Sequence, residues 1–167
     1  DAVNYLLSLA ESAQGRVSRD AIMPAMLADS VNATPRLLAI ARNQNSSRET
    51  RRTAISWLGR SLTEGERNVN DVATALVAIA RDEDDNQSVR QSALRTLARL
   101  EHGGGTQALT SLANDASRSW LAREAVTSLT TSSDPRARAY LRQVVGRGDQ
   151  VHRPLVAPDR QLVDFLA

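Results

Sequence analysis

A chain of 167 residues, 41% of them apolar, is long enough to bury one core, and its lack of cysteine excludes disulfide frameworks, thiolate zinc sites and thiol nucleophiles. Aromatic residues make up only 3%, so that core must come from Leu, Ile, Val and Ala, which favours helices over sheets because Ala costs no side-chain entropy in a helix. All 21 basic residues are Arg, yet 19 acidic residues leave a net charge of only +2, far from the positive excess of a nucleic-acid binder.

Apolar residues recur at helical spacing almost throughout, and an all-α chain is predicted. The expected helices cover 2–14, 19–29, 34–43, 47–61, 71–81, 87–101, 105–114, 118–131, 134–146 and 158–166. No apolar run approaches a membrane span, and the opening "DAVNYLLSLAESAQ" carries no signal-peptide pattern, so no membrane insertion is expected and the compartment stays open. Pro24 falls inside the second helix, which it should kink or delay. Thr34-Pro35, Ser133-Asp134-Pro135 and Ala157-Pro158 each place Pro near a first helical position, where its missing N–H costs nothing. Ser46 and Glu49 have the spacing of a capping box ahead of the fourth helix.

The helices repeat. "LLAIAR" at 37–42 matches "LVAIAR" at 76–81, and the next helices keep the same offset of 39, which takes Arg51 to Arg90, Ala54 to Ala93 and Leu58 to Leu97. A weaker third copy carries "LTSLAN" at 109–114 with Ala125 and Leu129, and a still weaker one begins at "LLSLAE", 6–11. A helix pair recurring at this interval cannot bury both sides of its apolar face alone, so neighbours must stack into one continuous core.

"LVAIARDEDDNQSVRQSALRTL", with "RETRRTAISWLG" as a second copy, resembles the HEAT-repeat family: an apolar first helix, a short acidic turn, then Val-Arg with a spaced Ala and Leu. The resemblance implies an α-solenoid of about four to five stacked antiparallel helix pairs. The array should fill residues 1–146, with 1–33 as a degenerate first repeat, followed by a linker at 147–157 and a capping helix at 158–167 of the same domain. It also implies a ladder in which the Arg of Val-Arg pairs with an Asp six residues earlier. Arg90 and Asp84 match that spacing, whereas Arg51 has Asn45 at the acid position and the third copy has Ala122 and Ala116. Arg51 and Arg90 are accordingly expected to be structural.

Several motifs invite chemistry and fall short of it. Asp82, Asp84 and Asn86 alternate as in an EF-hand loop, but Gln87 stands where Gly is needed and Ala93 where the bidentate Glu should be. "EHGGGT", 101–106, lacks the Lys and the preceding strand of a phosphate cradle, and a flexible turn with a left-handed cap is expected there. His102 and His152, the two histidines, lie fifty positions apart and outside any triad-like or HExxH setting. The expectation is a non-enzyme without cofactor or metal.

The patterned polar residues remain. Arg52, Ser56 and Arg60 align with Gln91, Arg95 and Arg99, at i and i+4 spacing on the outward stripe of each second helix. The resemblance places second helices along a concave groove, so Arg52, Arg60, Arg95 and Arg99 are candidate partner contacts, joined by Trp120 as an aromatic anchor, while Trp57 is read as core. The expected function is a monomeric protein-binding or scaffolding module for an acidic or extended protein segment. A nucleic-acid-binding or DNA-repair role and a regulatory or bilin-lyase-like role are the alternatives that the same family resemblance leaves open.

Overall fold

The computed structural model describes residues 2–12, 16–27, 33–61, 69–100, 104–115, 117 and 119–148. Among them are nine helices and no strand: α1 Ala2–Ser12, α2 Arg16–Leu27, α3 Thr34–Arg42, α4 Arg48–Ser61, α5 Val69–Arg81, α6 Gln87–Arg99, α7 Gly104–Ala113, α8 Ser119–Thr130 and α9 Pro135–Gly148. Nine of the ten expected helices are present with ends shifted by a few residues. The expected capping helix, most of the linker and both histidines lie outside the described residues; α9 runs on through 147 and 148.

The helices form two layers. α1 packs on α2, α3 on α4, α5 on α6 and α7 on α8, while α1, α3, α5, α7 and α9 follow one another in one layer and α2, α4, α6 and α8 in the other. Four pairs are therefore complete, and α9 begins a fifth. One buried cluster runs through all four pairs, with Leu7, Ile22, Leu37, Ile55, Leu76, Leu94 and Leu109 wholly enclosed. Its lining is aliphatic, as a chain so poor in aromatics requires.

Local chemistry sets the helix ends. Pro24 sits exposed within α2 without delaying its start, which falls at Arg16. α3 has no side-chain cap; Pro35 in its first turn removes an N–H that would otherwise lack a partner. The cap of α4 is Ser47 and not Ser46, because the helix begins at Arg48. Ser47 Oγ accepts the Thr50 N–H at 3.1 Å, and Glu49, displaced from the box position, takes Arg48 Nε at 2.6 Å instead. Asn86 caps α6 by accepting the Ser88 N–H at 3.0 Å.

The glycines at 104 and 105 are helical, not a left-handed turn. They start α7, and at Gly105 an added Cβ would lie 1.8 Å from the Leu97 carbonyl oxygen. Glycine is needed there so that two backbones can touch.

Polar ties cross between pairs. Arg36 on α3 reaches back to α1, where its Nε and Nη2 donate to the two Glu11 carboxylate oxygens, each at 3.0 Å, and Nη1 donates to the Asn4 carbonyl at 3.1 Å. Gln44 donates to Asp82 Oδ2 at 2.9 Å, linking successive turns, and Tyr140 donates to Asn114 Oδ1 at 3.0 Å, linking α9 to the turn after α7.

Asp134 does two jobs at the far end. Its Oδ1 caps α9 by accepting the Arg136 N–H at 2.9 Å, and the Arg136 Nε at 3.2 Å. Burial pushes its carboxyl up, but those bonds and the Thr106 hydroxyl on α7 outweigh burial and hold the group below the usual Asp range. A depressed folded-state pKa contributes stability that is complete above the unfolded value, about 3.9, and is lost as pH falls through the folded one. Asp134→Ala should therefore cost about 1 kcal/mol at neutral pH, the usual worth of such a cap, with the deficit shrinking as pH falls below the unfolded value of about 3.9. Urea unfolding on both sides of that value checks this; a deficit that stays constant with pH would refute the charged cap.

Candidate partner-binding face

The Val-Arg arginines are built into the frame. Arg51 Nε donates to the Ala41 carbonyl at 2.8 Å, closing the end of α3, and its two terminal nitrogens grip both carboxylate oxygens of Asp85 in the next repeat, one of them at 2.6 Å. Arg90 repeats the first contact, donating to the Ala80 carbonyl at 3.0 Å. The second contact changes: the Arg90 guanidinium lies over the Trp120 ring, 4.5 Å from its centroid. The expected Arg90–Asp84 pair is therefore corrected. Asp84 is exposed, and the rung of the ladder is Arg51 to Asp85, the acid of the turn that is buried.

The acidic turn has local uses for its oxygens as well. Asp82 Oδ1 accepts the Asp84 N–H at 3.2 Å, Asp85 Oδ1 accepts the Asn86 N–H at 2.7 Å, and Asn86 caps α6.

The outward stripe of the second-helix layer is built differently. Arg52 on α4 and Arg95 and Arg99 on α6 are exposed, and α4 packs directly on α6, so the three guanidinium groups share one face. None of the three makes a hydrogen bond or ion pair with a described residue, though Arg52 lies close enough to Glu49 to help lower that carboxyl, whose hydrogen bond to Arg48 is the larger cause. Arg60 is exposed but stacks on Trp57, 5.3 Å from the ring centroid. Both tryptophans are half-buried against the core. Trp120, at the start of α8, thus has one face beneath Arg90 instead of standing free.

Sequence reading missed two parts of this face. Arg123 on α8 is exposed one turn beyond Trp120, in the place that Gln91 holds on α6. Its signal was the offset of 32 between the second and third copies, which carries Gln91 to Arg123. The other part is apolar. The buried Ala21, Ile22 and Ala25 of α2 repeat the buried Ala54, Ile55 and Leu58 of α4 thirty-three positions earlier, so Met23 and Leu27 occupy the places of Ser56 and Arg60. They are 57% and 64% exposed, unusual for such side chains. Within α8, Glu124 accepts a hydrogen bond from Gln91 at 2.6 Å, fixing the spacing of α6 and α8.

A family model for HEAT repeats matches residues 34–119 and again 73–154. The chain belongs to the HEAT-repeat family. The two matches overlap because the repeats are near-copies, and together they cover α3 through α9. No curated protein and no solved structure matches. HEAT repeats are commonly protein-interaction scaffolds, which accords with a frame that commits Arg51 and Arg90 to its own cohesion while leaving other arginines outward.

The opposite layer offers a shallow cleft of about 380 Å³ between α5 and α7, lined by Asn70, Thr74, Arg81, Gln107 and Ser111 among others. Among the described residues of that lining Arg81 is the one titratable group, so they bring no acid and base together. Among the described residues no helix is long and apolar enough to cross a membrane, and no three metal-ligating side chains cluster.

Proposed function

We propose that the protein is a non-catalytic, monomeric scaffold, working without cofactor, whose second-helix face binds an acidic, extended segment of another protein. The observation that carries this reading is the group of exposed arginines, Arg52, Arg95, Arg99 and Arg123, on three successive helices without a described acidic partner in hydrogen-bond contact. Guanidinium forks grip carboxylates in bidentate fashion, and their mutual repulsion on one face is relieved when an acidic ligand arrives. Arg60 and Trp120 border this patch, each already part of a cation–aromatic stack. A protein ligand suits the face better than nucleic acid because the guanidinium groups alternate with Ser56, Gln91 and Thr127 and the chain as a whole carries only +2.

The test uses a fluorescent glutamate-rich peptide and a single-stranded oligonucleotide, each titrated by anisotropy against wild type and an Arg52→Glu, Arg95→Glu, Arg99→Glu variant whose helicity is checked by circular dichroism. The peptide should bind wild type and lose about tenfold or more on the variant, since each reversed contact is worth up to about 1 kcal/mol. Equal binding by the two proteins sinks the reading. Tighter binding of the oligonucleotide, with affinity falling steeply in salt, replaces it with a nucleic-acid function.

A further inference from the structure

The second-helix face changes character along the array. At its α2 end the outward positions are Met23 and Leu27, and at the equivalent places on α4, α6 and α8 they are polar or Arg. The two zones adjoin, for α2 packs on α4, and Arg19 of α2, held charged first by its hydrogen bond to Asp20, also feels the Glu49 carboxylate of α4. A patch of exposed Met and Leu on the same face as Arg52, Arg95, Arg99 and Arg123, which make no hydrogen bond or ion pair with a described residue, is unusual for a purely solvated surface.

Resting on the binding role proposed above, we infer that the face recognises a two-part ligand: an extended protein segment with an apolar anchor at one end, which covers Met23 and Leu27, followed by acidic residues that meet the arginines of α4, α6 and α8 in turn. Spacing follows from geometry. Packed helix axes lie about 8–10 Å apart and an extended chain advances about 3.3–3.6 Å per residue, so crossing from one helix to the next takes about three residues. The acids should recur at about that interval. Apolar burial at the anchor supplies affinity, while the regularly spaced carboxylates set register and direction. Met23 suits such a role because an unbranched thioether adapts to differently shaped anchors.

Three synthetic peptides test this: one with glutamate at every third position in a Gly-Ser background, and two that add a Leu-Phe pair at its N- or its C-terminal end. Each is titrated against wild type, against the arginine-to-glutamate variant, and against Met23→Ser, Leu27→Ser. One anchored peptide should bind wild type about tenfold more tightly than the plain acidic one. The gain should vanish on Met23→Ser, Leu27→Ser while plain-peptide affinity is kept. Both substituted side chains are exposed, so that variant should fold. If the plain peptide binds but neither anchor tightens it, or the gain survives the double substitution, the two-part ligand is wrong and the acidic-segment reading stands. If no peptide binds wild type, both fall. If wild type sediments as a dimer and Met23→Ser, Leu27→Ser as a monomer, the apolar end is a self-contact and the inference is overturned.

Discussion

Gly105→Ala is expected to cost about 3 kcal/mol or more, at the upper end of what overpacking does, even though Ala is intrinsically the better helix former by about 1 kcal/mol. The added methyl carbon would lie 1.8 Å from the Leu97 carbonyl oxygen and 2.8 Å from its carbon. Both are backbone atoms, so no rotamer change relieves the contact. That carbonyl also accepts the Leu100 N–H at 3.2 Å at the end of α6. Relief therefore requires α7 to withdraw from α6, opening the buried layer around Leu97, Leu109 and Leu112. Gly146→Ala is the matched control, because nothing lies within 4 Å of its added Cβ. It should gain about 0.5–1 kcal/mol, as Ala does over Gly in a helix. Chemical denaturation of both variants decides the matter; if Gly105→Ala unfolds together with wild type, the close approach of α6 and α7 is not real.

What could be read from sequence divides along a physical line. Helix positions and the stacking of pairs were legible because apolar periodicity and repeated "LxxIAR" segments act within a single helix or between copies. The capping seat shifted from Ser46 to Ser47 because both are serines with a polar residue three places on, and only the helix start chooses between them. The role of Gly105 was illegible because a glycine needed for close approach looks the same in sequence as one needed for a turn. Arg36 gave no sign of its grip on Glu11, twenty-five residues away on α1.

The face shows the same division. Arg52, Arg95 and Arg99 were found from i and i+4 spacing, which fixes the side of a helix without knowledge of its neighbours. Arg123 was missed because the third copy had been anchored on Ala125 and Leu129, whose spacing hides the polar stripe beside them. Met23 and Leu27 were missed because exposed apolar residues in a degenerate first repeat look like core until the register with α4 is set by Ala21, Ile22 and Ala25. The ladder was misread at both ends: its arginine is Arg51 and not Arg90, and its acid is Asp85 and not Asp84. In a turn with four consecutive acids, Asp82 to Asp85, a shift of one position decides whether a carboxylate meets water or the preceding repeat.

That turn gives the other large effect. Asp85→Leu should destabilise the protein by about 3–5 kcal/mol, the cost of leaving a buried charge without its partner. The Arg51 and Asp85 side chains are only 5% and 3% exposed, so water cannot take over either role. A double variant, Arg51→Met with Asp85→Leu, should recover most of the loss, because it removes both desolvated charges and fills the space with apolar atoms. It should not recover all of it. Arg51 also closes the Ala41 carbonyl, a task that Ser18 performs for Ala10 at 2.5 Å and Arg90 for Ala80 at 3.0 Å, and methionine has no donor to do so. Leucine likewise cannot accept the Asn86 N–H that Asp85 Oδ1 takes at 2.7 Å, so the residual deficit should be about 2 kcal/mol, the net worth of two hydrogen bonds. Urea unfolding of wild type, both single variants and the double completes the cycle. A double variant as unstable as the sum of the singles would show that the two side chains act independently. The expected coupling would instead assign Arg51 to holding consecutive pairs at a fixed spacing, and that spacing sets how far apart Arg52 and Arg95 stand on the outward face.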